Sequence, residues 1–195
     1  MVRALLDGRK TQTRRLATSP LRRCKVGDRL YVRESIYLWS TGHDCEITFA
    51  ADGSTRQTGP NTGEIPDAAL AAYFKMADRS VEKRARISRP SIHMPRWTSR
   101  LTLTVEDVRV ERLRAISEAD AEAEGCVWDS ADGYDVWYVP GAQMPRHGAT
   151  AAECYSILWD SLHSDPGQRW QDNPEIVALT FRVVRGNIDQ LARAA

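Results

Sequence analysis

"SRLTLTVEDVRVERL" (residues 99–113) carries the strongest strand pattern in the chain. Leu101, Leu103 and Val105 alternate with polar residues, and the alternation resumes towards residue 113 after a shift that indicates a β-bulge. Alternating side chains point to opposite faces of a strand, so one face of this strand is expected to be buried. The segment therefore predicts a long β-strand.

Other strands and short helices surround this segment. The nearly continuous apolar run "EIVALTFRVV" predicts a buried strand at 175–184, and shorter strands are expected at 26–36 and 45–52. Short helices are expected before Gly8 and at 67–77, 117–125 and 150–163, while 51–66 has the composition of a loop. Helices are missing between most strands, which excludes a parallel βαβ sheet. The predicted fold class is α+β, a mixed β-barrel with short flanking helices, in one domain spanning 1–195.

Composition places the chain among ordinary globular proteins, since 42% of the residues are hydrophobic and 27% are charged. No apolar run approaches the roughly 18 residues of a membrane span, and the first residues lack a secretory signal pattern. The four cysteines lie far apart without a CxxC pair, which argues against a zinc ribbon or a disulfide framework. We expect reduced thiols and a cytoplasmic location.

Charge is distributed unevenly although the formal net charge is only +1. Residues 1–33 hold 10 basic and 2 acidic side chains, and residues 75–100 hold 8 basic and 2 acidic ones. If the fold joins these stretches, they form a positive surface for a phosphate-bearing or nucleotide-like partner. If acidic stretches interleave with them, the surface is neutral, and the sequence leaves both alternatives open.

The stretch "GRKTQTRRL" (8–16) concentrates this basic character. It admits two interpretations: a solvated basic strand edge that contacts phosphate, or a catalytic lysine held among arginines. A lysine can act as a base only if its pKa falls from about 10.4 towards 7, which costs roughly 4–5 kcal/mol. Burial, together with the charges of Arg9, Arg14 and Arg15, would favour the neutral amine of Lys10.

Several motifs in this order resemble the ASCH family of the PUA-like superfamily, in its longer phage and prophage form. They are "GRKTQTRR", "GDRLYVRE", "MPRWTSRLTLTVEDVRVERL", "ISEADAEAEG" and "LWDSLHSDPGQRW". The resemblance covers most of the chain except a variable insertion at about 40–90, and it implies a PUA-like β-barrel with a central cleft. Related sequences carry an extended segment before the first helix, so the first barrel strand is expected to be absent or replaced.

The resemblance also implies an activity. Some small bacterial ASCH proteins are cofactor-free amidohydrolases that remove the acyl group from N4-acetylcytidine by means of a lysine, a threonine and a glutamate. Their motif positions correspond to Lys10, Thr13 and Glu124 in this sequence. Other members of the family bind RNA, and at least one is a ribonuclease with a different residue set, so the resemblance alone does not fix the reaction.

The chemistry of amide hydrolysis assigns a role to each of these residues. We expect Thr13 to be the nucleophile and Lys10 the base. In a regular strand these two positions point to opposite faces, so a turn or bulge is required to bring them together. Glu124 lies at the end of a predicted helix, where the dipole disfavours a carboxylate, as suits a proton donor or substrate anchor. The alternative for Glu124 is an ordinary exposed glutamate.

Further residues are candidates for substrate binding because guanidinium, carboxylate and indole groups recognise nucleosides well. They are Arg9, Arg14, Arg33, Glu34, Arg96 and Trp97. The histidines show no metal-ligand spacing, the adjacent His43, Asp44 and Cys45 have poor geometry for one metal, and no nucleotide-binding glycine motif is present. No metal and no cofactor are therefore expected.

Four functions remain open at this level. The leading one is an amidohydrolase for N4-acylated cytosine nucleosides. The alternatives are a non-catalytic RNA- or DNA-binding module of phage origin or a ribonuclease, and an accessory protein whose partner is another protein. The sequence does not specify an oligomeric state, and no membrane partner is expected.

Overall fold

The computed structural model describes residues 1–40, 42, 44–130, 135–142 and 147–193. Within these ranges the chain is α+β, with ten strands and five α-helices, and no helix there is long and apolar enough to cross a membrane. The chain forms two compact units. The first unit holds residues 3–30 and 103–183 with Met1, and the second holds 31–102 and 184–195 with Val2. The predicted insertion at about 40–90 falls within the second unit, and the single domain over 1–195 stays a prediction.

A four-stranded sheet contains both long strands that the sequence predicts. Its order is β1 (Gln12–Leu16), β10 (Glu175–Arg185), β7 (Leu101–Arg112) and β2 (Arg29–Tyr31). β1 and β10 are antiparallel, with Gln12 opposite Thr180 and Leu16 opposite Ile176. The predicted strands at 99–113 and 175–184 are confirmed as β7 and β10. Both strands cross the boundary between the two units.

The described part of the first unit contains three α-helices, α1 (Val2–Leu6), α3 (Glu118–Ala123) and α4 (Ala151–Leu162). Ser117 and Thr150 cap the starts of two of them, α3 and α4. The Ser117 hydroxyl accepts a hydrogen bond from the Asp120 N–H, and the Asp120 carboxylate accepts one from the Ser117 N–H, which forms a capping box. A ribbon of β8 (Val127–Asp129) and β9 (Val136–Tyr138) follows α3. Tyr155 and Trp159 of α4 are buried in the core of this unit.

The second unit contains its own antiparallel sheet. The strand order is β5 (Thr55–Thr58), β4 (Cys45–Phe49), β3 (Ile36–Ser40) and β6 (Ile87–Arg89). Helix α2 (Asp67–Lys83) buries Tyr73 and Met76 in the core of the unit, and α5 (Ile188–Arg193) lies near the end of the chain. The expected loop at 51–66 contains β5, and the helix expected at 67–77 extends to Lys83.

The strands do not form the expected barrel. Closure would require the edge strands β1 and β2 of the larger sheet to pair, directly or through other strands. In the part of the chain that the structure describes, β1 and β2 remain the edges of an open sheet, and β3 to β6 form a separate one. The prediction of a closed β-barrel was therefore wrong, whereas the α+β class is confirmed.

Candidate functional site

Strand β1 presents different residues on its two faces because side chains alternate along a strand. Gln12 and Arg14 lie on one face, where the Arg14 Nη1 group donates a hydrogen bond to Gln12 Oε1. Thr13 and Arg15 lie on the other face, where Arg15 Nη1 donates to Thr13 Oγ1 at 3.0 Å. The face that carries Gln12 and Arg14 also carries the polar contacts to α3.

Lys10 and Glu124 meet at the junction between the start of β1 and the end of α3. Backbone hydrogen bonds fix this junction: the Thr11 N–H donates to Ala123 O at 2.9 Å, and the Lys10 N–H to Ala4 O at 3.0 Å. The Lys10 ammonium donates to the main-chain oxygen of Glu124 at 2.8 Å and to its carboxylate Oε2. Lys10 is 5% exposed and Glu124 is 4% exposed, so the ion pair is shielded from bulk water.

Gly125 makes this close approach possible. Its φ of +105° is a conformation that residues with a Cβ rarely adopt. A Cβ at this position would make ordinary van der Waals contacts, 3.7 Å from Ala4 Cβ and 3.9 Å from Lys10 Cβ, so the backbone conformation and not the space favours glycine. The chain therefore turns directly after Glu124 and packs against Lys10.

Arg14 joins the Lys10–Glu124 pair to two further carboxylates, and we call these residues, together with Gln12 and Tyr155, the polar cluster. Its side chain is completely buried, and its Nη2 atom lies 3.0 Å from Asp120 Oδ2 and 3.1 Å from Glu111 Oε1. Its Nη1 atom lies 3.9 Å from Glu124 Oε1. A buried guanidinium remains charged, so it requires these carboxylates as partners.

Asp120 links α3 to two strands. Burial raises the pKa of this carboxyl, but hydrogen bonds from Gln12 and Arg109, both at 2.9 Å, and the charge of Arg14 outweigh that effect. The net result is a pKa held well below its usual range. Asp120 is therefore a permanent anion that holds β1 against α3.

Tyr155 approaches Glu124 from α4. Its hydroxyl donates to Glu124 Oε1 at 3.5 Å, and its ring lies 6.0 Å from the Arg14 guanidinium carbon. Burial and the negative charge of Glu124 raise the pKa of Tyr155 well above its ordinary value. The phenol therefore remains a neutral hydrogen-bond donor towards the carboxylate.

A cavity of about 480 Å³ in the first unit is lined by sequence neighbours of the pair, whereas Lys10 and Glu124 themselves are not among its lining residues. Its lining includes Arg9 and Thr11, on either side of Lys10 in the sequence, and Ala123 and Cys126 near Glu124. Two indoles complete its wall on the β8–β9 ribbon, where Trp128 lies opposite Trp137. Trp128 is 51% exposed, so this wall has an aromatic surface open to a ligand.

Cys126 lines this cavity but is poorly suited to nucleophilic catalysis. Its hydrogen bond with Cys154 and its burial raise the pKa of the Cys126 thiol, which disfavours the reactive thiolate. Both cysteines are free thiols. Among the described residues no group of three or more His, Cys, Asp or Glu side chains could hold a metal ion, and His43 lies outside those residues.

The structure brings together only part of the residue set predicted from the sequence. Lys10 and Glu124 are in contact, whereas Thr13 lies on the opposite face of β1 from Gln12 and Arg14. Arg9 lines the cavity and forms an ion pair with Asp7 at 2.7 Å. Arg14 is fully buried in the cluster, so it contacts protein carboxylates rather than an open surface.

The remaining predicted residues belong to the second unit. Glu34 accepts two hydrogen bonds from Arg100, at 2.8 and 2.9 Å, and is buried. Arg96 pairs with Asp189 at 2.8 Å, Trp97 is buried in the core, and Arg33 is exposed. Lys10 and Glu124 belong to the first unit, so the predicted site residues are divided between the two units.

Sequence reasoning did not assign four members of the cluster to the site: Gln12, Glu111, Asp120 and Tyr155. The positions of Lys10, Gln12 and Arg14, each two residues apart, carried a usable signal for the first of these. Asp120 completes the capping box at the start of α3 and also binds Arg14. Glu111 and Tyr155 carry no local signal, because long-range packing brings them to the site.

Comparison with protein-family models, with curated proteins and with solved structures finds no match to this chain.

Proposed function

We propose that this protein is a cofactor-free amidohydrolase of the ASCH type that removes the acyl group from N4-acylated cytosine nucleosides. The observation that carries the proposal is the contact between Lys10 and Glu124. These residues are 114 positions apart in the chain, and both occupy motif positions that the resemblance assigns to the active site. A buried ammonium–carboxylate pair offers both a proton acceptor and a cationic hydrogen-bond donor, and both groups are used in acid–base catalysis.

The roles follow from the charges of the pair. The Glu124 carboxylate accepts a proton from the attacking nucleophile and later delivers it to the departing N4 nitrogen. The Lys10 ammonium donates a hydrogen bond to the oxyanion that develops on the acyl oxygen. The nucleobase occupies the cavity, and its acyl group has to pass the lining residues Ala123 and Cys126 to reach the buried pair. Tyr155, as a neutral donor to Glu124, holds the carboxylate in position.

The cavity suits a nucleobase. Indole rings bind nucleobases by stacking, and Trp128 and Trp137 lie opposite each other on the ribbon that lines it. A volume of about 480 Å³ lies within the range of about 300–1,000 Å³ that is typical of small-molecule sites. Replacement of Trp128 by Ala is expected to raise KM more than it lowers kcat, because the indole contacts the base rather than the reacting amide.

The nucleophile is a water molecule in this proposal, since the Thr13 hydroxyl faces away from Gln12 and Arg14 and accepts a hydrogen bond from Arg15. The family resemblance instead assigns the attack to Thr13. The two mechanisms differ in the activity of Thr13→Val. Activity that survives this replacement supports water, and an inactive but folded Thr13→Val protein would return the role to the hydroxyl.

The test is the release of cytidine from N4-acetylcytidine by the purified chain, followed by chromatography in the presence of a metal chelator. Lys10→Met and Glu124→Gln are expected to lower kcat by at least a hundredfold. Lys25→Met and Glu106→Gln are matched controls at exposed positions of the first unit, and they should retain full activity. A folded wild-type protein without turnover, or full activity of Glu124→Gln, would refute the proposal.

The competing function is a non-catalytic RNA-binding module. It draws on the basic stretches 1–33 and 75–100, but carboxylates neutralise several of their arginines: Arg9, Arg14, Arg22, Arg86, Arg96 and Arg100. A gel-shift assay with single-stranded RNA tests this alternative. Binding that weakens steeply with salt, together with an absence of turnover, would favour the module over the enzyme.

A further inference from the structure

The second unit contains a larger cavity, of about 660 Å³, that the proposed hydrolase site does not use. One face of α2 forms a wall through Ala72, Met76 and Arg79, which lie at helical spacing. Arg89 at the end of β6 and the segment around Trp97 form other parts of the lining. The cavity therefore collects residues from three separate parts of the unit.

The lining is rich in cations. Lys75, Arg79, Arg89 and Arg96 face a single carboxylate, that of Asp189. Asp189 forms a bidentate pair with Arg96, with N–O distances of 3.0 and 2.8 Å. The charge of Arg96 is thus compensated within the wall.

The other three cations are not compensated. Across the ranges that the structure describes, Lys75, Arg79 and Arg89 have no carboxylate within ion-pair distance. The Nε–H group of Arg89 is also buried and has no hydrogen-bond partner among those residues. A buried donor without a partner costs about 1–3 kcal/mol, so its presence in a cavity wall points to an acceptor that a ligand supplies.

The cavity also has an apolar part. Met76 and Trp97 are buried and line it together with prolines and alanines. The small side chains of Ala69 and Ala72 leave space above the helix. A ligand that satisfies this lining carries a compact anionic group at one end and an apolar or planar group at the other.

We propose that this cavity binds a small organic phosphate of about the size of a nucleoside monophosphate. Arginine recognises phosphate oxygens through paired N–H donors, so Arg79 and Arg89 would hold the phosphate group with Lys75 as an additional charge. The apolar wall around Met76 and Trp97 receives the organic part. The phosphate oxygens supply the acceptor that the Arg89 Nε–H lacks.

The volume favours a small molecule over a polymer. A cavity of about 660 Å³ lies within the range of sites that enclose small ligands, whereas an extended nucleic-acid strand requires an open groove. This inference concerns the second unit and does not depend on the proposed hydrolase activity of the first. A protein without hydrolase activity could still bind the phosphate, and a protein that does not bind the phosphate could still be a hydrolase.

Calorimetric titration of the full-length protein with adenosine 5′-monophosphate tests the proposal. Adenosine and inorganic phosphate are titrated in parallel, and each is expected to bind at least tenfold more weakly than the nucleotide. Arg79→Gln and Arg89→Gln should each weaken nucleotide binding at least tenfold. Lys83→Gln, an exposed cation on the same helix outside the cavity, is the matched control and should change the affinity less than twofold.

A further variant blocks the cavity without removing a positive charge. Ala72→Trp places an indole on the exposed face of α2 without altering any charge, and it should abolish binding while circular dichroism remains unchanged. No binding of the nucleotide to the wild-type protein would overturn the proposal. It would also fail if a single-stranded RNA oligonucleotide without terminal phosphates bound through Arg79 and Arg89 while the nucleotide did not.

Discussion

Replacement of Glu124 by Gln leaves the Lys10 ammonium in a buried position without the carboxylate that contacts it. Removal of one partner from a buried ion pair costs about 3–5 kcal/mol, because the remaining charge stays desolvated. The glutamine keeps its main-chain oxygen, which accepts from Lys10 at 2.8 Å, so the lower end of that range applies. We expect Glu124→Gln to destabilise the protein by about 3 kcal/mol.

Replacement of Lys10 is expected to cost less stability than replacement of Glu124. In Lys10→Met, Glu124 retains the Arg14 guanidinium at 3.9 Å and the Tyr155 hydroxyl at 3.5 Å, so its charge is still partly compensated. The cost of Lys10→Met should therefore be lower by about 1–2 kcal/mol. The double variant Lys10→Met/Glu124→Leu removes both charges, and it should recover at least half of the loss in Glu124→Gln.

Urea denaturation measures these differences. With a slope of about 2 kcal/mol per molar, a loss of about 3 kcal/mol lowers the midpoint by about 1.5 M. Hydrogen exchange of the Thr11 amide, which donates to Ala123 O, reports the same loss within the first unit. Glu122→Gln on the exposed side of α3 is the control and should change the stability by less than about 0.5 kcal/mol. Equal effects of Glu122→Gln and Glu124→Gln, or a larger cost for Lys10→Met than for Glu124→Gln, would refute the reasoning.

Three further replacements test other contacts. Asp120 has a pKa below its unfolded value of about 3.9, so its stabilising effect is present above about pH 4 and lost as the pH falls. Asp120→Asn should therefore weaken the fall in melting temperature that thermal melts are expected to show from pH 6 to pH 2. Asn187 donates from one buried amide to the main-chain oxygens of three residues, and Asn187→Leu should cost about 3 kcal/mol in urea denaturation. Ser117→Ala removes the N-cap of α3 and should lower stability by about 1 kcal/mol in the same assay, whereas Ser117→Asp, which preserves the cap, should not.

The elements that the sequence predicts correctly are those with long periodic patterns or clear caps. β7 and β10 extend over 12 and 11 residues, so their apolar patterns stand out from chance. Ser117 and Thr150 mark the starts of α3 and α4 through side chains that accept backbone hydrogen bonds. β5 was missed because its sequence, "TRQT", is polar and lies at the edge of its sheet. Barrel closure depends on pairing between distant strands, which no local pattern specifies.

Local sequence patterns also predict only part of the candidate site. The motif resemblance identified Lys10 and Glu124, and the strand period already placed Thr13 on the face opposite to that of its neighbours. The burial of Arg14 could not be predicted, because arginines are exposed unless a specific set of carboxylates surrounds them. Glu34 and Trp97 belong to a different unit from Lys10 and Glu124, and local sequence does not reveal where the boundary between the units falls.

The chain leaves the first unit through β2 and returns to it through β7, and these two strands pair with each other. Asp28 and Val105 are joined across β2 and β7 by the hydrogen bond from the Val105 N–H to Asp28 O at 2.9 Å. The two ends of the segment 31–102 therefore lie on neighbouring strands, as the ends of an insertion within a β-hairpin do. In evolutionary terms, a segment whose two ends lie on paired strands can grow or shrink without separating those strands.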